Sequence, residues 1–141
     1  MFATTPFGRG QTALTLIGIG ALHALWGSGS TFPFSERDQL NDAVIGRDAT
    51  PSPAACYAMA GLLTAAGGLV AGLPSPRSGV RRLGVCTVAT VLGTRAALGF
   101  AGKTELVSPG SVSAKFKEMD KRYYSPLCLV LAVGAVNSLR R

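Results

Sequence analysis

Four apolar runs, separated by polar or basic segments, set the pattern of the chain. They extend from about Thr12 to Gly29, Ala54 to Leu73, Leu83 to Ala101, and Tyr124 to Leu139. None alternates with period two, so none reads as a barrel strand. An uninterrupted apolar stretch of about 20 residues is what a helix needs to cross a bilayer core, where backbone polar groups must be satisfied internally. The pattern predicts a single all-α domain over residues 1–141, a four-transmembrane-helix bundle of the integral membrane class. The second run, AACYAMAGLLTAAGGLVAGL, carries no charge and is the clearest span. The fourth is the shortest and ends at Arg140 and Arg141.

Small residues recur in the runs: Gly18, Gly20 and Ala24 in the first, and Gly61, Ala65, Gly68 and Gly72 in the second. A spacing of four places them on one helix face, where backbones approach closely. This predicts tight packing within the monomer, with homo-oligomer formation as the alternative use of the same faces.

Composition supports lipid as the solvent. Of the 141 residues, 48% are hydrophobic and 15% charged, against about 25% charged in a soluble domain. The formal charge of +7 comes from residues that punctuate apolar runs rather than cover a soluble face, which excludes nucleic acid as the natural partner. Cys56, Cys86 and Cys128 show no paired spacing and lie in or beside apolar runs, so they read as buried, inert thiols rather than a disulfide framework or zinc site.

The connections have distinct characters. The first (residues 30–53) holds Glu36, Asp38, Asp42 and Asp48 against Arg37 and Arg47. The second (residues 74–82) holds Arg77, Arg81 and Arg82 with no acid. The positive-inside rule assigns this short basic loop, and both termini with it, to the cytoplasmic face of a plasma membrane. The third (residues 102–123) is rich in lysine and contains SAKFKEMDKRYY, a candidate segment for lying along the membrane surface. Ser125 before Pro126 reads as a helix cap followed by a first-turn proline.

Arg95 is the one charge well inside a run, and no Asp or Glu lies in any run to neutralise it. Such a charge costs about 2.5 kcal/mol or more at the bilayer centre, so it needs compensation. The side chain can reach the interface, since Ala101 is about 9 Å further along the helix. It can pair with a loop acid, for which Asp120 and Glu118 are best placed. It can also face a cavity that admits a lipid headgroup or small anionic ligand. His23, in the first run, lies at a similar depth on a parallel span, with Trp26 one turn on. Tyr124 enters from the same side. His23, Trp26, Arg95, Asp120 and Tyr124 therefore form the candidate ligand-binding set.

The sequence supplies no HExxH, no second histidine for haem ligation and no cysteine pair, so no catalytic set, metal site or cofactor is assigned. A general base at His23 with Arg95 stabilising an anion is the enzymatic alternative. A structural alternative makes Arg95 an internal ion-pair anchor in an accessory subunit of a membrane assembly.

His23-x-x-Trp26-Gly27, Arg95 with Gly99, ELVSPG, Phe116, Asp120 and the block Tyr124-Ser125-Pro126-Leu127-Cys128-Leu129 resemble a family of small bacterial integral membrane proteins, the domain of unknown function 3995. The resemblance spans almost the whole chain and is most specific in YSPLCL with its upstream aspartate. It implies a four-helix membrane protein and brings no activity with it.

Overall fold

The computed structural model describes residues 8–47, 49–107, 109–110 and 113–140. Asp48, Ser108 and Arg141, which enter the sequence reading, lie outside them. The fold is all-helical, with 76% helix and no strand among the described residues. Helix α1 spans Arg9–Gly27, α2 Arg37–Leu40, α3 Pro53–Ala71, α4 Gly79–Phe100, α5 Thr104–Val107, α6 Ala114–Met119 and α7 Ser125–Ser138. Two π-helical turns complete it, Asn41–Ile45 after α2 and Asp120–Tyr124 between α6 and α7.

Local chemistry sets where the helices begin. The Gln11 side chain accepts from Gly8 N at 2.8 Å and starts α1. The hydroxyls of Ser52, Ser78 and Ser113 accept from backbone N–H groups three residues on, at the starts of α3, α4 and α6, and Pro53 fills the first turn of α3, where its missing N–H costs nothing. Because the cap of α4 is Ser78, the helix takes in Arg81 and Arg82, which the sequence pattern leaves in the loop.

The last helical stretch differs more. Ser125 is not its cap. The helix begins at Ala114 and runs on without a break into α7, with Ser125 in helical conformation and its N–H bonded to Asp120 O. A proline within a helix removes one hydrogen bond and crowds the preceding turn. The wider turn at Asp120–Tyr124 absorbs that mismatch just before Pro126.

Helix α1 runs antiparallel to α3, and α4 to α7. Ala13, Leu16, Ala66, Val70, Val85, Leu131 and Ala135 form the core where the four meet. Close approach of α1 and α3 depends on Gly20 and Gly67. A Cβ at Gly67 would lie 2.6 Å from Ile17 and 2.9 Å from Ala13 O, and one at Gly20 3.0 Å from Ala60 O. Gly18 and Gly61, by contrast, face open space.

Two helices, Pro53–Ala71 and Gly79–Phe100, are long and apolar enough to cross a membrane. Only 28% and 17% of their apolar windows are buried, whereas the core helix of a soluble protein hides most of such a surface. Leu62, Val80, Leu83 and Val91 point outward, as does Leu14 of α1. The thiols divide likewise: Cys56 is buried, Cys128 half-buried and Cys86 exposed on α4, so burial does not describe all three.

Candidate functional site

Arg95 and Gly99 are one turn apart on the same face of α4. Against this face stands the π turn, whose first residue, Asp120, is fully buried and forms an ion pair with Arg95. Gly99 makes the approach possible. A Cβ there would lie 1.7 Å from Ser125 Oγ, 2.6 Å from Asp120 Oδ2 and 3.0 Å from Arg95 Nη1. Those three atoms are buried and have no hydrogen-bond partner among the described residues. The charges cancel while donor and acceptor capacity stays open: an N–H from Arg95, a lone pair from Asp120, and a hydroxyl able to serve either way. Glu118, the other acid considered for Arg95, is exposed and lies 4.0 Å from Arg122.

The π turn also ties the third connection to the first. Tyr124 donates its hydroxyl to Ala43 O at 2.8 Å. Ser113 Oγ donates to the Asp42 carboxylate, and Ser113 N to Gly46 O at 3.0 Å. Arg47 Nη1 reaches Pro109 O at 2.8 Å. Phe116, the main apolar residue of the segment considered for the membrane surface, turns inward and is 2% exposed. It lies over Gly46, where φ is +78° and an added Cβ would fall 2.6 Å from its ring. The Arg95–Asp120 pair thus sits beneath two interlocked connections that cap one end of the helices.

His23 and Trp26 stand apart from this cluster. The His23 Nδ1 hydrogen-bonds the Ile19 carbonyl one turn back at 2.9 Å. The rings of His23 and Trp26 meet edge-to-face with centroids 4.9 Å apart, and Trp26 Nε1 donates to Phe32 O at 2.7 Å, holding the chain as it leaves α1. No hydrogen bond, ion pair or ring contact among the described residues joins this pair to Arg95, Asp120 or Tyr124. Helix α1 packs mainly on α3 and α4 mainly on α7, so similar depth along the helices does not bring the two groups together.

A family model described as a protein of unknown function (DUF3995) matches residues 16–135. The chain belongs to this family. The match contains all five candidate residues of the DUF3995 chain. No curated protein and no solved structure matches it.

Within the DUF3995 chain the structure adds one residue to the polar set, Arg81, at the opposite end of α4. It is 1% exposed and forms no ion pair among the described residues. Its Nε donates to Leu69 O at 2.7 Å and its Nη1 to Pro76 O at 3.1 Å. Its Nη2 donates to Val70 O at 3.2 Å, Ser138 O at 3.1 Å and Ser138 Oγ at 3.2 Å. The guanidinium therefore caps the C-terminal ends of α3 and α7 together, where unpaired carbonyls concentrate negative potential. A sequence signal exists in Pro74, four residues after Val70, which cannot supply the N–H that would continue the helix. Among the described residues, no three His, Cys, Asp or Glu side chains gather as a metal site would require.

Proposed function

We propose that this DUF3995 protein is a four-span integral protein of the bacterial plasma membrane, with both termini on the cytoplasmic side, acting as a non-enzymatic accessory component of a membrane assembly. Its spans are α1, α3, α4 and α7. The low burial of the two long apolar helices supports the membrane reading. So does the gathering of Arg9, Arg81, Arg82 and Arg140 at the end opposite the cap.

The observation that carries the structural role is that Asp120 already neutralises Arg95. An arginine poised for an anionic ligand would keep that charge available; here it anchors the capping connections to α4. The test is a double-mutant cycle of Arg95→Ala and Asp120→Ala, scored by unfolding in mild detergent. Removing one partner of a buried pair costs about 3–5 kcal/mol, because the other charge is stranded. The two single variants should be of similar stability and the double variant little worse than either. Additive losses would overturn the anchor.

A second reading follows from the three unpartnered atoms around Gly99. They favour a small polar guest, a lipid headgroup or a small anion, seated at the edge of the Arg95 side chain, of which 21% is exposed. Native mass spectrometry of gently extracted protein tests it: a bound mass present in the wild type and lost in a folded Arg95→Ala variant supports it, and identical spectra refute it. Catalysis by His23 gains no support, since its Nδ1 is engaged by the Ile19 carbonyl of its own helix.

A further inference from the structure

We infer that the face shared by α4 and α7, at the end opposite the cap, is a docking groove for one anionic phospholipid of the inner leaflet. The inference rests on the membrane reading above but uses none of the residues of the Arg95 site. A groove of about 260 Å³ opens sideways between the two helices, lined by Ala89, Ala132, Val133 and Val136, with Asn137 and Arg140 at one end. Ala132 to Arg140 spans about 12 Å of helix rise, so the apolar floor runs from the arginine toward the middle of the fold. On α7, Leu129, Val133 and Val136 recur at i, i+4 and i+7 and are all at least 41% exposed, which extends the apolar strip.

Charge selects the occupant. Arg82 lies seven residues before Ala89, hence on the same face of α4, and at the same end as Arg140. Both are exposed, and neither forms an ion pair among the described residues. Arg81 is buried, with its Nε, Nη1 and Nη2 all engaged by acceptors of Leu69, Val70, Pro76 and Ser138, so it is not at the rim. Two free guanidinium groups at the rim of an apolar strip match a phosphodiester with an acyl chain beneath it: the headgroup meets Arg82, Arg140 and the Asn137 amide, and the chain lies along Ala132, Val133 and Val136. A zwitterionic lipid fits the strip equally but brings its own cation to the rim.

The experiment is native mass spectrometry of the full chain in detergent, titrated with phosphatidylglycerol or phosphatidylcholine. The variants are Arg82→Gln/Arg140→Gln and, to fill the groove, Val136→Trp; retained helicity by circular dichroism and a monodisperse elution profile establish that each is folded. The wild type should take up one phosphatidylglycerol in preference to phosphatidylcholine. That preference should fall about fivefold for each arginine removed, and Val136→Trp should weaken both lipids. Equal uptake of the two lipids by the wild type, a preference untouched by the two arginine substitutions, or unchanged uptake by Val136→Trp overturns the inference. Alkaline carbonate extraction of cell membranes is run in parallel. Release of the chain into the soluble fraction defeats the membrane reading itself, whereas retention with unselective lipid uptake defeats the groove alone.

Discussion

Replacing Arg81 by methionine keeps an unbranched side chain of similar reach and removes every donor. Three carbonyls then lose their partner inside the protein; Pro76 O belongs to an exposed residue and can turn to water, whereas the other two cannot. Val70 O cannot turn to the N–H four residues on, because Pro74 has none, and the Leu73 N–H is taken by Gly68 O. Ser138 O, at the end of α7, depends on the same guanidinium. Each stranded carbonyl costs about 1–3 kcal/mol, and loss of a cation from two helix C-termini adds about 0.3–1 kcal/mol for each. The sum is about 3–8 kcal/mol; Leu69 O and the Ser138 hydroxyl add nothing to it, because they keep other bonds, to Gly72 N and Ala135 O. For a chain of this size, 1 kcal/mol moves the unfolding midpoint by about 3–4 °C, so Arg81→Met should lower it by about 10 °C or more in a thermal scan in mild detergent. Arg81→Lys keeps the charge but not the planar fork that reaches α3 and α7 together, and should fall between methionine and wild type. A methionine variant within about 2 °C of wild type would refute the argument. A lysine variant matching the wild type would show that charge alone, not the fork, holds the two ends.

Gly99→Ala drives a methyl into Ser125 Oγ and Asp120 and should cost about 1–3 kcal/mol or more by overpacking. Adding Ser125→Ala clears the nearest atom, so the double variant should be more stable than Gly99→Ala alone when unfolded under the same conditions. Gly46→Ala must accept φ of +78° and a contact with the Phe116 ring; about 2–3 kcal/mol is expected from the left-handed backbone and the clash, with hydrogen exchange rising first around residues 41–46 and 113–116. Tyr124→Phe deletes the bond to Ala43 O and should cost about 1 kcal/mol, measured as a small drop in unfolding midpoint with helicity unchanged.

The four apolar runs were legible because lipid-compatible composition is a local property, and so was the pairing chemistry of Arg95, since few acids lie near enough in sequence to reach it. That Asp120 rather than Glu118 does so is set by the π turn and the gap at Gly99, which depend on how α6 continues into α7. Ser125-Pro126 misleads for the same reason: the dipeptide has the local signature of a helix start, and only the wider turn before it lets the helix pass through. Arg81 looks like one more cytoplasmic loop charge until the ends of α3 and α7 are brought to it, a contact across 57 residues that no local pattern encodes. His23 and Trp26 form the neighbouring pair that their spacing suggests. Depth along parallel spans, however, says nothing about which helices are lateral neighbours, and that information separates them from Arg95.

The Arg81 clamp also has a history in time. On the membrane reading, a chain threaded into the bilayer from its N-terminus presents Arg81 first as a charge in a short basic connection, where it helps hold that connection on one side. Its acceptors on α3 are already made, but those on Ser138 are synthesised 57 residues later. Until α7 arrives, the guanidinium is only partly satisfied and must stay near water. Once α7 docks, the same charge is drawn inside and joins three helices at one point. The residue that first marks the side of the loop afterwards locks it there, so insertion and closure of the fold are coupled through a single side chain.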